Sequence, residues 1–153
     1  MHGILNTKIL IVDDDERFLR ALGKTLRGEG AVVTATQWPL DAIDILSRPE
    51  KMDLVITDLR MPLVNGEMLL HSIRLMSADL PIIVLTAFAG PETKAEALRQ
   101  GATLFLEKNL TTAGLLAAIS RTFQLQRQLK ERSETGVLSK PERTGAGTGD
   151  PVL

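Results

Sequence analysis

Five short runs of apolar, largely β-branched residues recur along this 153-residue chain, at residues 9–12, 32–35, 54–57, 82–85 and 103–106. Runs with no polar alternation read as strands covered on both faces. Between them the spacing is helical. Phe18, Leu19, Leu22 and Leu26 precede Gly28 and Gly30, and Leu69, Leu70, Ile73 and Met76 follow Asn65-Gly66. Strand and helix alternate five times, which predicts an α/β domain with right-handed crossovers and a central parallel sheet carrying helices on both faces. The punctuation agrees: Pro39 suits the first turn of the second helix, Asn65-Gly66 the turn into the third, and Gly101 a stop after the fourth.

The fourth helix, about residues 92–100, has only Ala95, Ala97 and Leu98 as apolar anchors, so it is expected to pack weakly and to shift easily. The fifth starts near Thr111 or Thr112, presents Leu115, Leu116, Ile119 and Phe123 on one face, and has a polar continuation over residues 124–132 that extends it past the domain. Beyond Ser133, Gly136, Pro141, Gly145, Gly147, Gly149 and Pro151 stand among Ser, Thr and charged residues, the composition of a linker or flexible tail. The expected division is therefore one domain over residues 7–125, followed by a helix-five extension and flexible linker or tail over 126–153.

Charge and composition exclude several functions. With 18 basic and 19 acidic residues the net charge is −1, too little positive field to draw in nucleic acid or an anionic membrane. The absence of cysteine removes disulfides, thiolate nucleophiles and zinc–thiolate centres. No apolar run reaches the roughly 18 residues of a membrane span, and the first eight residues lack a signal peptide's apolar stretch. A cytoplasmic location is expected.

In a parallel sheet the carboxyl ends of the strands share one edge, where ligands bind. Here strand one ends in Asp13-Asp14-Asp15, strand three in Asp58, strand four in Thr86-Ala87 and strand five in Glu107-Lys108. Two carboxylates about 4 Å apart repel by about 4 kcal/mol at an effective dielectric of about 20, so a cation must offset them. Oxygen donors with no His or Cys nearby favour a hard ion, magnesium or manganese, with Lys108 as a second, fixed positive charge. A carboxylate flanked by a metal, a lysine and the Thr86 hydroxyl is equipped to accept a phosphoryl group, because that transfer needs mainly positioning and charge neutralisation. Asp13 and Asp14 share the ion, whereas Asp58 stands alone opposite them and is the candidate acceptor. Asp15 is expected to cap the first helix. Trp38 is read as an anchor, His2 and His71 as surface residues, and Met61-Pro62 as shaping the loop after Asp58.

The ordered set Asp13-Asp14, Asp58-Leu59-Arg60-Met61-Pro62 with Gly66, Thr86-Ala87, Phe105 and Lys108 resembles the receiver domain of two-component response regulators, the CheY-like superfamily, over roughly residues 7–123. The resemblance implies a flavodoxin-like (βα)5 doubly wound sheet with strand order 2-1-3-4-5. It implies that Asp58 is phosphorylated by a histidine kinase or phosphotransfer protein, and that the domain catalyses only its own phosphoryl transfer and dephosphorylation. Asp14 would ligate the metal directly and Asp13 largely through water, with Asp58 and the Arg60 backbone carbonyl completing the set. Thr86 would bond a phosphoryl oxygen, Lys108 would pair with it, and Phe105 would swing inward behind Thr86. The surface of helix four, strand five and helix five would then change, signalling to a downstream protein or fused output domain; the same face is a candidate homodimer face.

The pattern departs from the family at Asn109, where proline usually follows the lysine in a cis peptide. A cis bond before a non-proline costs about 2.5–4 kcal/mol. Either the loop keeps that strain, or Lys108-Asn109 is trans and the aim of Lys108 differs. Asn109 thus keeps open a receiver-shaped interaction module that takes no phosphate. Asp13-Asp14-Asp15 also matches the Asp-x-Asp start of haloacid-dehalogenase-type phosphatases, although Arg17 stands where that pattern wants Thr or Val. Phosphate-ester turnover lost on Asp13→Asn and kept on Asp58→Asn would mark that enzyme.

Overall fold

The computed structural model describes residues 3–61 and 64–135. Its elements run β1 Lys8–Val12, α1 Glu16–Gly28, β2 Val32–Thr36, α2 Pro39–Leu46, β3 Leu54–Thr57, α3 Gly66–Met76, β4 Ile82–Thr86, α4 Pro91–Arg99, β5 Leu104–Glu107 and α5 Thr112–Thr135. The five strands form one parallel sheet in the order β2-β1-β3-β4-β5, as expected. A two-residue antiparallel ladder, Arg60–Met61 with Val64–Asn65, follows β3 and delivers the chain into α3 at Gly66.

Local chemistry sets the helix starts. The Asp15 carboxylate accepts the Phe18 N–H at 3.1 Å and caps α1, as its position after β1 predicts. Pro39 opens α2, where its missing N–H leaves no bond unmade. On one face of the sheet, Leu10, Val12, Val55, Ile82 and Val84 pack with Ala42 and Ile45 of α2, Leu69, Leu70 and Ile73 of α3, and Ala97 of α4. On the other, Ile11, Ile56 and Leu85 line one small gap with Leu19 and Leu22 of α1, and Leu85 lines another with Leu22 and with Leu115 of α5. Ile4, ahead of the expected start at residue 7, is also buried.

The expectation that all five strands are covered on both faces holds for β1, β3 and β4 and is corrected for the other two. β2 has only exposed and half-buried residues, with Val32 52% exposed, and β5 is half-buried from Leu104 to Leu106 and exposed at Glu107. They are the sheet's two edges, each with a neighbour on one side only. Of the three anchors expected for α4, only Ala97 is buried; Ala95 and Leu98 face solvent. Met76 ends α3 exposed rather than continuing its buried stripe.

Contacts group the chain into two units, residues 1–122 and 123–153. In the first, α5 buries Leu115, Ile119 and Thr122. In the second, the described residues are the continuation of α5 to Thr135, with Leu125 and Leu129 exposed. The expected flexible linker or tail beyond residue 135 lies outside the described residues, as do His2 and Pro62.

Two glycines are fixed by what lies against them. Gly101 stops α4 at φ +113°, where the Arg74 side chain passes so close that a Cβ would stand 2.8 Å from its Cγ. Arg74 donates from Nε and Nη2 to the Gly101 carbonyl and from Nη1 to those of Ser77 and Leu80, stapling the end of α3 to the turn before β5. At Gly66, a Cβ would lie 2.5 Å from Leu59 Cα and 2.6 Å from its carbonyl oxygen, both backbone atoms of the loop after Asp58. Gly66→Ala is accordingly expected to destabilise the domain by about 1–3 kcal/mol, read as a lower urea midpoint with an unchanged slope.

Candidate functional site

Register brings the acidic residues together. Val12 pairs with Thr57 across β1 and β3, so Asp13 and Asp58, each one residue further on, emerge side by side at the carboxyl edge. Their backbones continue the ladder past the strands: Asp58 N–H donates to the Val12 carbonyl and Asp13 N–H to that of Thr36, both at 3.2 Å. Thr86 pairs with Glu107 across β4 and β5, and the Lys108 N–H donates to the Thr86 carbonyl at 2.9 Å. Lys108 therefore enters the same edge from the far side of β4.

The side chains converge as the sequence predicts. Lys108 Nζ lies 2.6 Å from Asp13 Oδ2 and 3.1 Å from Asp58 Oδ2. The other oxygens are also engaged: Asp13 Oδ1 accepts the Asp15 N–H at 2.9 Å, and Asp58 Oδ1 accepts the Arg60 N–H at 3.0 Å. Asp13 and Asp58 are buried and Asp14 is half-buried, its carbonyl held by Gln37 Nε2 at 3.0 Å. Thr86 is fully buried, and its hydroxyl accepts the Phe88 N–H at 3.2 Å. Phe105 is partly buried against the core cluster. Among the described residues there is no cis peptide, so Lys108-Asn109 is trans, and Lys108 nonetheless reaches both carboxylates.

The charges do not balance. Oxygens of Asp13, Asp14 and Asp58 lie within 4.8 Å of one another, so three carboxylates face one ammonium. Burial pushes the Asp13 carboxyl above the usual carboxylate range, against the hydrogen bonds of Lys108 and Asp15, and the charge of Asp58 pushes the same way. At Lys108 burial opposes the charge, but the hydrogen bonds and attraction of Asp13 and then Asp58 outweigh it, and the ammonium holds its proton more tightly than an ordinary lysine. Both shifts retain a proton at the pair, as expected where one cation is set against three anions. An all-oxygen donor set with surplus negative charge fits a hard divalent cation.

Some neighbours had no strong mark in the sequence. Phe18, five residues after Asp13, lays its ring 4.3 Å from Lys108 Nζ, centroid to nitrogen. Arg60, expected to act through its carbonyl, also stacks its guanidinium over Phe88 at 4.9 Å, linking the loops after β3 and β4. A lone aromatic in the first turn of α1 was the only available signal for Phe18. Trp38, expected as an anchor, is half exposed beside α2, and His71 is exposed as expected.

The family model of the response regulator receiver domain matches residues 9–120. The chain is 37% identical over 111 residues to the transcriptional regulatory protein GlrR of Escherichia coli (strain K12), covering 72% of this chain and 25% of that protein. It is 33% identical over 125 residues to the C4-dicarboxylate transport transcriptional regulatory protein DctD of Pseudomonas aeruginosa, covering 82% of this chain and 27% of that one. The chain thus spans about a quarter of the length of these relatives. Among solved structures, a response regulator receiver domain protein from Clostridium thermocellum superposes with a TM-score of 0.74 at 27% identity, covering 80% of this chain and 98% of that one. The chemotaxis protein CheY4 of Vibrio cholerae superposes with a TM-score of 0.72 at 28% identity, covering 76% and 98%. With the doubly wound sheet and the acidic edge already in place, the match over residues 9–120 makes this chain a member of the response regulator receiver domain family.

Proposed function

We propose that the domain takes a phosphoryl group onto Asp58 from a histidine kinase or phosphotransfer protein, in a reaction that depends on magnesium or manganese. The observation that carries this reading is the Lys108 ammonium held between Asp13 Oδ2 and Asp58 Oδ2 at the carboxyl edge of the sheet. An oxygen of Asp58 attacks phosphorus, and the P–O bond forms as the donor's P–N bond breaks. The electron pair stays on the donor imidazole, which takes a proton from solvent. Asp14, Asp58 and the Arg60 carbonyl, with Asp13 largely through water, would hold the divalent ion, which when bound would supply charge neutralisation at the phosphoryl oxygens. Lys108 moves its charge from Asp13 toward the incoming group, and the Thr86 hydroxyl, fully buried two residues beyond the last β3–β4 pair, turns from accepting the Phe88 N–H to donating to a phosphoryl oxygen.

The output face in this reading is α4, β5 and α5. α4 is held to the core by one buried alanine, and Phe105 of β5 is only partly buried, so little packing opposes a rearrangement there. The phosphorylated face would contact a downstream protein, an output domain in the same protein, or a second copy of the domain. In this reading residues 7–125 are the receiver and 126–153 a helix-five extension and flexible linker or tail. No helix among the described residues is long and apolar enough to cross a membrane; together with the lack of cysteine, this supports a cytoplasmic setting. The non-phosphorylatable alternative rested on Asn109; Lys108 Nζ lies 3.1 Å from Asp58 Oδ2 with that bond trans, which supports the phosphoacceptor reading.

Incubation with a small-molecule phosphodonor and magnesium is expected to add one phosphoryl group by intact mass, and Asp58→Asn to gain none. A wild-type chain that never gains that mass would return the domain to an interaction-only role. In metal-free protein, Lys108→Met strips Asp13 and Asp58 of the ammonium that touches both and is expected to cost about 3 kcal/mol in urea unfolding. Magnesium should narrow that gap, because the variant has no ammonium competing for the carboxylates and binds the ion more tightly, and each tenfold gain in affinity adds about 1.4 kcal/mol to its stability at saturating ion; an unaltered gap would argue against a shared cation site.

A further inference from the structure

Lys108 has a third neighbour besides the two carboxylates, and it carries no charge. The face of the Phe18 ring lies 4.3 Å from Nζ, within the range where a ring's quadrupole attracts a cation. The Lys108 side chain is 18% exposed, so water supplies only part of its solvation. Phe18 is tied to the same turn that supplies Asp13. The Asp15 N–H donates to Asp13 Oδ1, and the Asp15 carboxylate accepts the Phe18 N–H, so the helix cap sets the ring and the Asp13 carboxylate together beside one ammonium.

We propose that Phe18 is a positioning residue for phosphoryl uptake, its ring face keeping the Lys108 ammonium within reach of Asp58 while leaving it free to leave Asp13. This rests on the phosphoacceptor reading above. A carboxylate in place of the ring would draw the ammonium off Asp58, and an aliphatic side chain would desolvate it with no compensating attraction. The ring attracts over its whole face rather than at a single acceptor atom. The ammonium can therefore slide from Asp13, 2.6 Å away, toward a phosphoryl group on Asp58 without crossing an unsolvated gap. The competing role is packing alone, because the same ring lines a gap whose walls include Leu19, Leu22, Ile56 and Leu85 as well as Asp13 and Asp58.

A series of phenylalanines at position 18 carrying one, two and three fluorines separates the two roles, since fluorine withdraws electron density from the ring face with little change of shape. The initial rate of phosphoryl uptake from phosphoramidate with magnesium, followed by intact mass, is expected to fall stepwise along the series. It should drop about 3- to 10-fold for Phe18→Leu and stay within about twofold for Phe18→Tyr. A second readout reports the geometry without phosphorylation. In protein labelled with 13C at the lysine ε position, the Lys108 ε-methylene protons should be shifted upfield of the other lysines by the ring, and return to them in Phe18→Leu. A flat fluorine series in a protein that takes phosphate, or an unshifted Lys108 signal, overturns the role of Phe18 alone. A wild-type chain that takes no phosphate overturns it together with the phosphoacceptor reading.

Discussion

A single ammonium set against three carboxylates at the end of a parallel sheet is the constraint around which this domain is organised. Two like charges about 4 Å apart repel by about 4 kcal/mol at an effective dielectric of about 20, a large fraction of a small domain's net stability. The arrangement persists because register leaves no alternative. β1 and β3 are buried on both faces along almost their whole length, and sliding one past the other by a residue would exchange the side chains packed beneath the two helix layers and leave both interfaces mispacked. The core thus holds the acids together, and Lys108, hydrogen-bonded through its backbone to Thr86, is brought in to offset part of their repulsion.

Much of this was legible in residue order. Uninterrupted apolar runs ending in Asp13, Asp58, Thr86 and Lys108 specify a parallel sheet and the edge at which those groups meet, because strand periodicity and chain direction are local properties. The exposure of β2 and β5 was not legible: Val32 and Phe105 look as apolar as Ile9, and only the order of strands in space makes their elements edges. The geometry around Lys108 was open for a similar reason. Asn109 left a cis or a trans bond open, and the bond observed is the trans one that an amide before a non-proline favours. Phe18 showed its helical spacing but not its partner, since an aromatic in a first turn reads as core until the ammonium opposite is located.

Packing is unevenly distributed in a way that suits signalling. α1 and α3 each bury at least three large apolar side chains, whereas α4 buries one alanine and holds its outer side by the local pairing of Glu96 with Arg99 and Gln100. Those donors keep the Glu96 carboxyl below its ordinary range. Such surface pairs contribute little to tertiary stability, so α4 is stabilised more as a helix than as a part of the core.

The Arg74 staple gives the sheet two ends of different character. Its guanidinium binds three backbone carbonyls just ahead of β4 and β5, at the edge opposite the acidic cluster. Burial lowers its affinity for a proton, against the attraction of Asp79, yet an arginine starts so high that it stays charged throughout the biological range. That margin is tied by a fixed cation to backbone carbonyls, whereas the opposite margin gathers three carboxylates around one ammonium. The sheet in this sense has one clamped end, and whatever freedom its strand ends keep lies at the acidic one.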